Sequence, residues 1–160
     1  MVEDLLEILR TNAKESPETM AKMLWVELNE VERAISKLES RGIIRGWQAI
    51  INEDLVPQEH VTAVIEVRVT PEREGGFNRV AERVAKFDEV EAAYLMSGGY
   101  DLLLFVSGKN LLEVARFVSE KLSTIHGVLS TATHFRLKTY KQSGVLMAKP
   151  SDEERLVVSP

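Results

Sequence analysis

At 160 residues, with 44% hydrophobic and 28% charged, the chain has globular composition and room for one domain or two small ones. Its net charge of -5, from 25 acidic against 20 basic residues, argues against a generic basic nucleic-acid binder, so any affinity for DNA must rest on local geometry. Cysteine is absent, which excludes disulfides, thiolate metal sites and cysteine nucleophiles. The three histidines, His60, His126 and His134, form no HxxxH or HExxH spacing, so neither a metal nor another cofactor is expected.

No stretch approaches the roughly 20 apolar residues that span a bilayer. The start MVEDLLEILR is acidic and amphipathic and lacks the basic n-region of a secretory signal. A cytoplasmic protein without a membrane partner is expected.

Three short helices open the chain. Leu5, Leu6, Ile8 and Leu9 form an apolar stripe behind Glu3, Asp4 and Glu7, acids that suit a helix N-terminus. Ser16-Pro17 reads as an N-cap with proline at the first helical position, opening a second helix with Met20, Ala21, Met23 and Leu24 inward. Leu28, Val31, Ile35 and Leu38 recur at spacings of three and four, and Gly42 stops this third helix after Arg41. Helices this short need a shared core. Residues 43–51 then read as a strand or short hairpin containing Gly46, which completes the outline of a winged helix-turn-helix over residues 1–51. Residues 52–60 contain Pro57 and six polar residues among nine, and read as a linker.

The second half, residues 61–141, alternates in kind. Val61, Ala63, Ile65, Val67 and Val69 share one face of a half-buried strand. After Pro71 and Gly75-Gly76 come the helical stripe Phe77, Val80, Ala81, Val84 and Phe87. Strand candidates at 90–96 and 100–106 flank Ser97-Gly98-Gly99, where the paired glycines signal a two-residue hairpin turn. Leu111, Ala115, Val118, Leu122 and Ile125 form a second helical stripe, and residues 128–138 a last strand. The order β-α-β-β-α-β predicts an α+β, ferredoxin-like domain with both helices on one face of an antiparallel sheet. Val64, Leu103 and Phe105 then fall on the uncovered face, where self-association is the cheapest cover. Residues 142–160 read as a tail. Within it Arg155-Leu156-Val157-Val158 has strand character and is as well suited to fraying as to pairing with a sheet edge.

Three pieces in this order resemble the Lrp/AsnC family of feast-famine transcription regulators. They are Lys37-Leu38-Glu39-Ser40-Arg41-Gly42-Ile43-Ile44-Arg45-Gly46, Ser97-Gly98-Gly99-Tyr100-Asp101-Leu102-Leu103, and Ile125-His126-Gly127-Val128 with Ser130-Thr131-Ala132-Thr133. They are similar to the family's helix end before the wing, its Gly-x-Tyr-Asp hairpin, and its Pro-Gly-Val loop with a Thr-rich last strand. The resemblance runs from residue 2 to about 141. It implies a winged head on a RAM-type sheet domain, double-stranded DNA as partner, homodimers that assemble further to octamers, and an amino acid or related effector held between sheet domains. Ligand-driven population shift between assemblies is the mechanism it suggests.

On that reading Arg33 and Ser36 meet base edges, Lys37 and Arg41 meet phosphate, and Arg45 and Gln48 touch the DNA backbone. The plainer reading of the same residues is a solvated helix face. At the hairpin, the N–H groups of Gly98, Gly99 and Tyr100 suit a carboxylate and Asp101 an ammonium. Ser130, Thr131 and Thr133 can add hydroxyls; β propensity alone would also explain them.

The chain departs from the family pattern between its second and third helices. Trp25, Val26 and Glu27 stand where the family has glycine, an apolar residue and a serine cap. A bulky residue at a position that wants positive φ is strained, and Glu27, Glu30 and Glu32 repel phosphate at the end of the helix that enters the groove. Residues 1–46 carry seven basic and nine acidic side chains, a balance of -2. Trp25 and Trp47 read as core or interface aromatics, and Glu66, Arg68 and Arg136 as cross-strand pairs. Two rivals follow: a ligand-sensing assembly module with a degenerate head, and a siroheme-decarboxylase-like enzyme. The second fits less well, because Tyr100-Asp101-Leu102-Leu103 lacks the Tyr-Asn-Leu-Trp pattern. No nucleophile-base motif or phosphate-binding glycine loop is present, so no enzyme activity is expected.

Overall fold

The computed structural model describes residues 1–57, 60–71 and 76–148; the side chain of Phe77 and the 155–158 segment lie outside the described residues, as do Gln58, Glu59 and Gly75. The chain divides into a unit Met1–Ile50 and a second that begins at Ile51.

In the first unit α1 (Val2–Thr11), α2 (Pro17–Leu24) and α3 (Leu28–Ser40) share one core. Leu5, Leu9, Met20, Ala21, Val31 and Leu38 are buried together, with Leu6, Ile8, Leu24 and Ile35 packed partly against them. Each fully buried leucine contributes about 2–3 kcal/mol, so the shared core outweighs the poor intrinsic stability of helices this short. Met23, on the predicted stripe, is instead exposed. The Ser16 cap is made: its Oγ accepts from the Thr19 N–H at 3.1 Å. Gly42 ends α3 at φ +69°, and the Ile43 N–H reaches back to the Leu38 carbonyl at 2.9 Å.

Residues 43–51 do not form the expected strand; they pair with no other strand among the described residues. Apolar β-branched residues favour extended backbone, but a strand needs a ladder partner, and this segment has none among the described residues. It is tethered differently, by Trp47 Nε1 donating to Glu39 Oε1 of α3 at 3.1 Å. The linker also has structure. Glu53–Leu55 is a single 3-10 turn, and Asn52 donates from Nδ2 to the Met147 carbonyl at 2.9 Å.

The second unit is built on β1 (Val61–Val69), α4 (Gly76–Val84), β2 (Val90–Leu95), β3 (Leu102–Gly108), α5 (Leu111–Arg116, running on through Phe117–Leu122) and β4 (Val128–Phe135). The strands form one antiparallel sheet in the order β2-β3-β1-β4, the ferredoxin-like arrangement. Ala63, Ile65, Val67 and Val69 of β1 and Leu102, Leu104 and Val106 of β3 are buried on the helix side with Val80, Val84, Val114, Phe117, Leu122 and Ile125.

The second helical stripe is shifted from its expected position. Leu111 is exposed, and so is Ala115, while Val114 and Phe117 are buried. The buried residues run 114, 117, 122 and 125, with a step of five that a regular α-helix would swing off the core. Residues Phe117–Leu122 form a π-helical turn, and its wider winding returns Leu122 to the sheet.

Lys121, on that turn, donates to Glu89 ahead of β2 and lies 5.7 Å from the centre of the Phe87 ring. The ammonium holds the Glu89 carboxyl below its ordinary value of 4.5. A depressed folded pKa gives stability that is present above the unfolded value and lost as pH falls through the folded one. Lys121→Met is therefore expected to cost less than about 1 kcal/mol near pH 7, the pair being partly exposed. The cost should vanish in urea titrations run progressively below pH 4.5.

Where the sequence marks a tail, β5 (Lys141–Gln142) and β6 (Val145–Leu146) form a small hairpin. No helix among the described residues is long and apolar enough to cross a membrane.

Candidate DNA-binding face and effector site

Arg33, Ser36 and Lys37 lie on α3, Arg41 caps its end, and Arg45 and Gln48 follow in the extended segment; all six are exposed. Spacings of four put Arg33, Lys37 and Arg41 in one row along the helix. They line a common groove of about 590 Å³, floored by Val2, Ala34 and Ile43. Among the described residues none of the four arginine and lysine side chains on this face makes an ion pair within 4 Å. The intrahelical pairing that a solvated face would favour is not made, and the cations remain available to phosphate.

The turn before α3 keeps its geometry despite the tryptophan. Trp25 adopts the left-handed conformation at φ 55°, ψ 43°, and the Val26 N–H closes the turn on the Ala21 carbonyl at 3.1 Å. The Schellman-type bonds hold the conformation that glycine would adopt freely. Trp25 is 93% exposed, so it is no core residue of this chain. Glu27 occupies the N-cap of α3 without making a side-chain cap bond.

In the second unit the Gly98-Gly99 connection is longer than a two-residue turn. It runs from Met96 to Asp101, closed by the Met96 N–H on the Asp101 carbonyl at 2.8 Å. The reason lies with Asp101, whose own backbone and side chain are committed to β1. Its N–H donates to the Val67 carbonyl at 2.9 Å, and its Oδ2 accepts from the Val69 N–H at 2.7 Å. Gly98 sits at φ +150°, a conformation suited to glycine. At the same end of the sheet the carbonyl of Gly127, a residue at φ +97°, accepts from the Thr70 N–H at 2.8 Å. A side chain on Gly127 would also crowd Val80, 3.2 Å from the nearest methyl.

Register places Thr131 opposite Val67 and Ser130 opposite Arg68, so Asp101, Ser130 and Thr131 converge on the end of β1. Alternation then divides them. Thr131 and Thr133 face the helices, since they pair with the buried Val67 and Ile65, whereas Ser130 lies on the open face. One ligand on one face of the sheet cannot meet all three hydroxyls.

Val64, Leu103 and Phe105 do lie on the open face, with Tyr94 packed edge-on against Phe105 at 6.1 Å between centroids. The expected arginine pairs there are replaced. Glu66 faces His134 Nε2 at 3.8 Å, and Arg136 donates to Thr62 Oγ1 at 3.0 Å. Sequence reading missed Tyr94 and His134 because only strand register, which no local pattern prints, brings them to these neighbours.

A three-helix head and a βαββαβ sheet unit define the class of two-part helix-turn-helix regulators. The Lrp/AsnC ligand binding domain matches residues 62–146, and the chain belongs to the Lrp/AsnC family. It is 49% identical over 158 residues to the uncharacterized HTH-type transcriptional regulator YugG of Bacillus subtilis strain 168, covering 98% of this chain and 95% of that one. Two solved structures share the fold. AsnC of E. coli matches at TM-score 0.65 and 21% identity over 88% of this chain and 93% of that one. A transcriptional regulator from Neisseria meningitidis, solved as its L-Met complex, matches at TM-score 0.66 and 22% identity over 94% of each chain.

Proposed function

We propose that the chain is a transcription regulator that grips double-stranded DNA through α3 and the segment behind it, and whose assembly or DNA affinity responds to an amino acid bound at the Asp101 end of the sheet unit. The observation that carries the DNA half is the row Arg33, Lys37 and Arg41 lining one groove. Membership of a family whose curated relatives are named transcriptional regulators supports it, and supports a non-enzymatic, cytoplasmic role. Dimers formed over the open sheet face, and octamers built from them, would space the heads to match half-sites one helical turn or a multiple apart.

Footprinting on the DNA upstream of the chain's own coding sequence tests this. Protection recurring at intervals of about 10 base pairs is expected. A cleavage ladder unchanged at every protein concentration would refute it.

Asp101 is the residue on which the effector half turns. One carboxylate oxygen is held by the Val69 N–H, and the other suits an ammonium, while the neighbouring loop N–H groups suit a carboxylate. The Neisseria regulator's L-Met complex makes methionine the first ligand to try. Asp101→Ala strands the Val69 N–H and should cost about 1–3 kcal/mol in urea unfolding. Asp101→Asn keeps an acceptor for that N–H and should retain stability. Both should lose methionine binding by calorimetry. Unaltered binding in Asp101→Asn would remove the carboxylate from the ligand's contacts.

A further inference from the structure

A second groove, which shares Val26 and Glu30 with the first, lies between α2 and the start of α3, with a volume of about 850 Å³. Its apolar wall is Trp25 and Leu28. Its rim carries Glu18, Glu27 and Glu30 against one cation, Lys22, a formal balance of -2. Charge thus changes along the head: the groove along α3 carries Arg33, Lys37 and Arg41, this one carries Glu18, Glu27 and Lys22, and Glu30 stands between them on both rims. A negative rim repels phosphate, so DNA is a poor occupant. An indole exposed over 93% of its surface is a large apolar platform whose face attracts cations, arginine above all.

We propose that this groove docks an arginine-bearing segment of another protein bound to the same DNA, its guanidinium stacked on the Trp25 indole and paired with the rim glutamates. The groove begins at the N-terminal end of α3, the end that enters the major groove in helix-turn-helix proteins. A protein reaching it there must itself lie against DNA and present basic surface, which matches what the rim accepts. This part of the inference rests on the DNA-binding reading; the chemistry of the groove does not.

The full chain carrying Trp47→Phe leaves Trp25 as the only tryptophan of the two and makes its emission a reporter. The probe is a twelve-residue peptide of arginine and leucine, compared with its glutamate-leucine counterpart and with duplex DNA. A saturable blue shift with the arginine peptide alone is expected. In Glu18→Gln/Glu27→Gln/Glu30→Gln the affinity should fall at least about tenfold, whereas the charge-matched Glu3→Gln/Glu82→Gln/Glu120→Gln should stay within about threefold. Trp25→Gly relieves the left-handed residue and so should keep the fold, checked by circular dichroism. It should lose labelled-peptide binding by at least about tenfold and keep its DNA affinity. Equal losses in the two triple variants would reduce the effect to general charge attraction and overturn the proposal. So would a shift produced by DNA instead, or by raising protein concentration alone, which would give the groove to a second copy. DNA titrations of the same variants separate failure of this docking site from failure of the DNA-binding reading.

Discussion

Replacing Arg33, Lys37 and Arg41 together by alanine is expected to lower affinity for the chain's upstream DNA by about a hundredfold or more at moderate salt. Each phosphate left without its cation makes the negative slope of log K against log salt shallower by about 0.9, and each base edge left unread costs about 1–3 kcal/mol. The three side chains are exposed, and among the described residues none is held in an ion pair, so folding should change by no more than about 0.5 kcal/mol each. Weakened affinity with unchanged thermal unfolding thus separates a missing DNA grip from a collapsed head. Anisotropy titrations at several salt concentrations make the measurement. A slope identical to that of the parent chain would mean that α3 does not touch the phosphates, whatever the head's fold.

The largest effect on folding is expected at Leu104. It is fully buried on β3, paired with Ile65 on one side and Ala93 on the other. Leu104→Ala leaves a cavity in the middle of the sheet unit and should cost about 2–5 kcal/mol. Phe105, the next residue, points to the other face and is only half-buried beside Tyr94. Phe105→Ala should cost clearly less in urea titrations, yet weaken self-association in sedimentation experiments, because its face is the one open to a second copy. Equal destabilisation by the two variants would contradict the division of β3 into a core face and an open face.

The two faces of β1 are legible from period two, and the helix ends from Ser16-Pro17 and Gly42. In each case the signal is local: a hydroxyl three residues from an orphan N–H, a glycine where φ must be positive, apolar residues two apart. What is not legible depends on partners distant in sequence. Residues 43–51 have strand composition but pair with no strand among the described residues, and Trp47 settles on Glu39 instead. The paired glycines at 98 and 99 announce a tight turn, but Asp101 is drawn into hydrogen bonds with Val67 and Val69, and the loop lengthens to accommodate it. Leu111 and Ala115 fit a helical stripe of regular period until the π turn after Arg116 changes that period.

The candidate sites divide in the same way. The basic row on α3 follows from spacings within one helix and is found where expected. The effector hydroxyls are grouped by nearness in sequence, and the sheet puts Ser130 on the opposite face from Thr131 and Thr133. Trp25 shows a third case. Sequence identifies both the strained position and the bulky residue in it; the structure adds that the turn survives and turns the indole out to solvent.

The most direct test of a ligand-responsive DNA-binding head is fluorescence anisotropy of the full chain on its upstream DNA, at two salt concentrations, with and without a pool of amino acids. Binding above a random-sequence control is predicted, weakened by salt and shifted by the pool. Binding no stronger than to the random control, at low salt and in either ligand state, would contradict it.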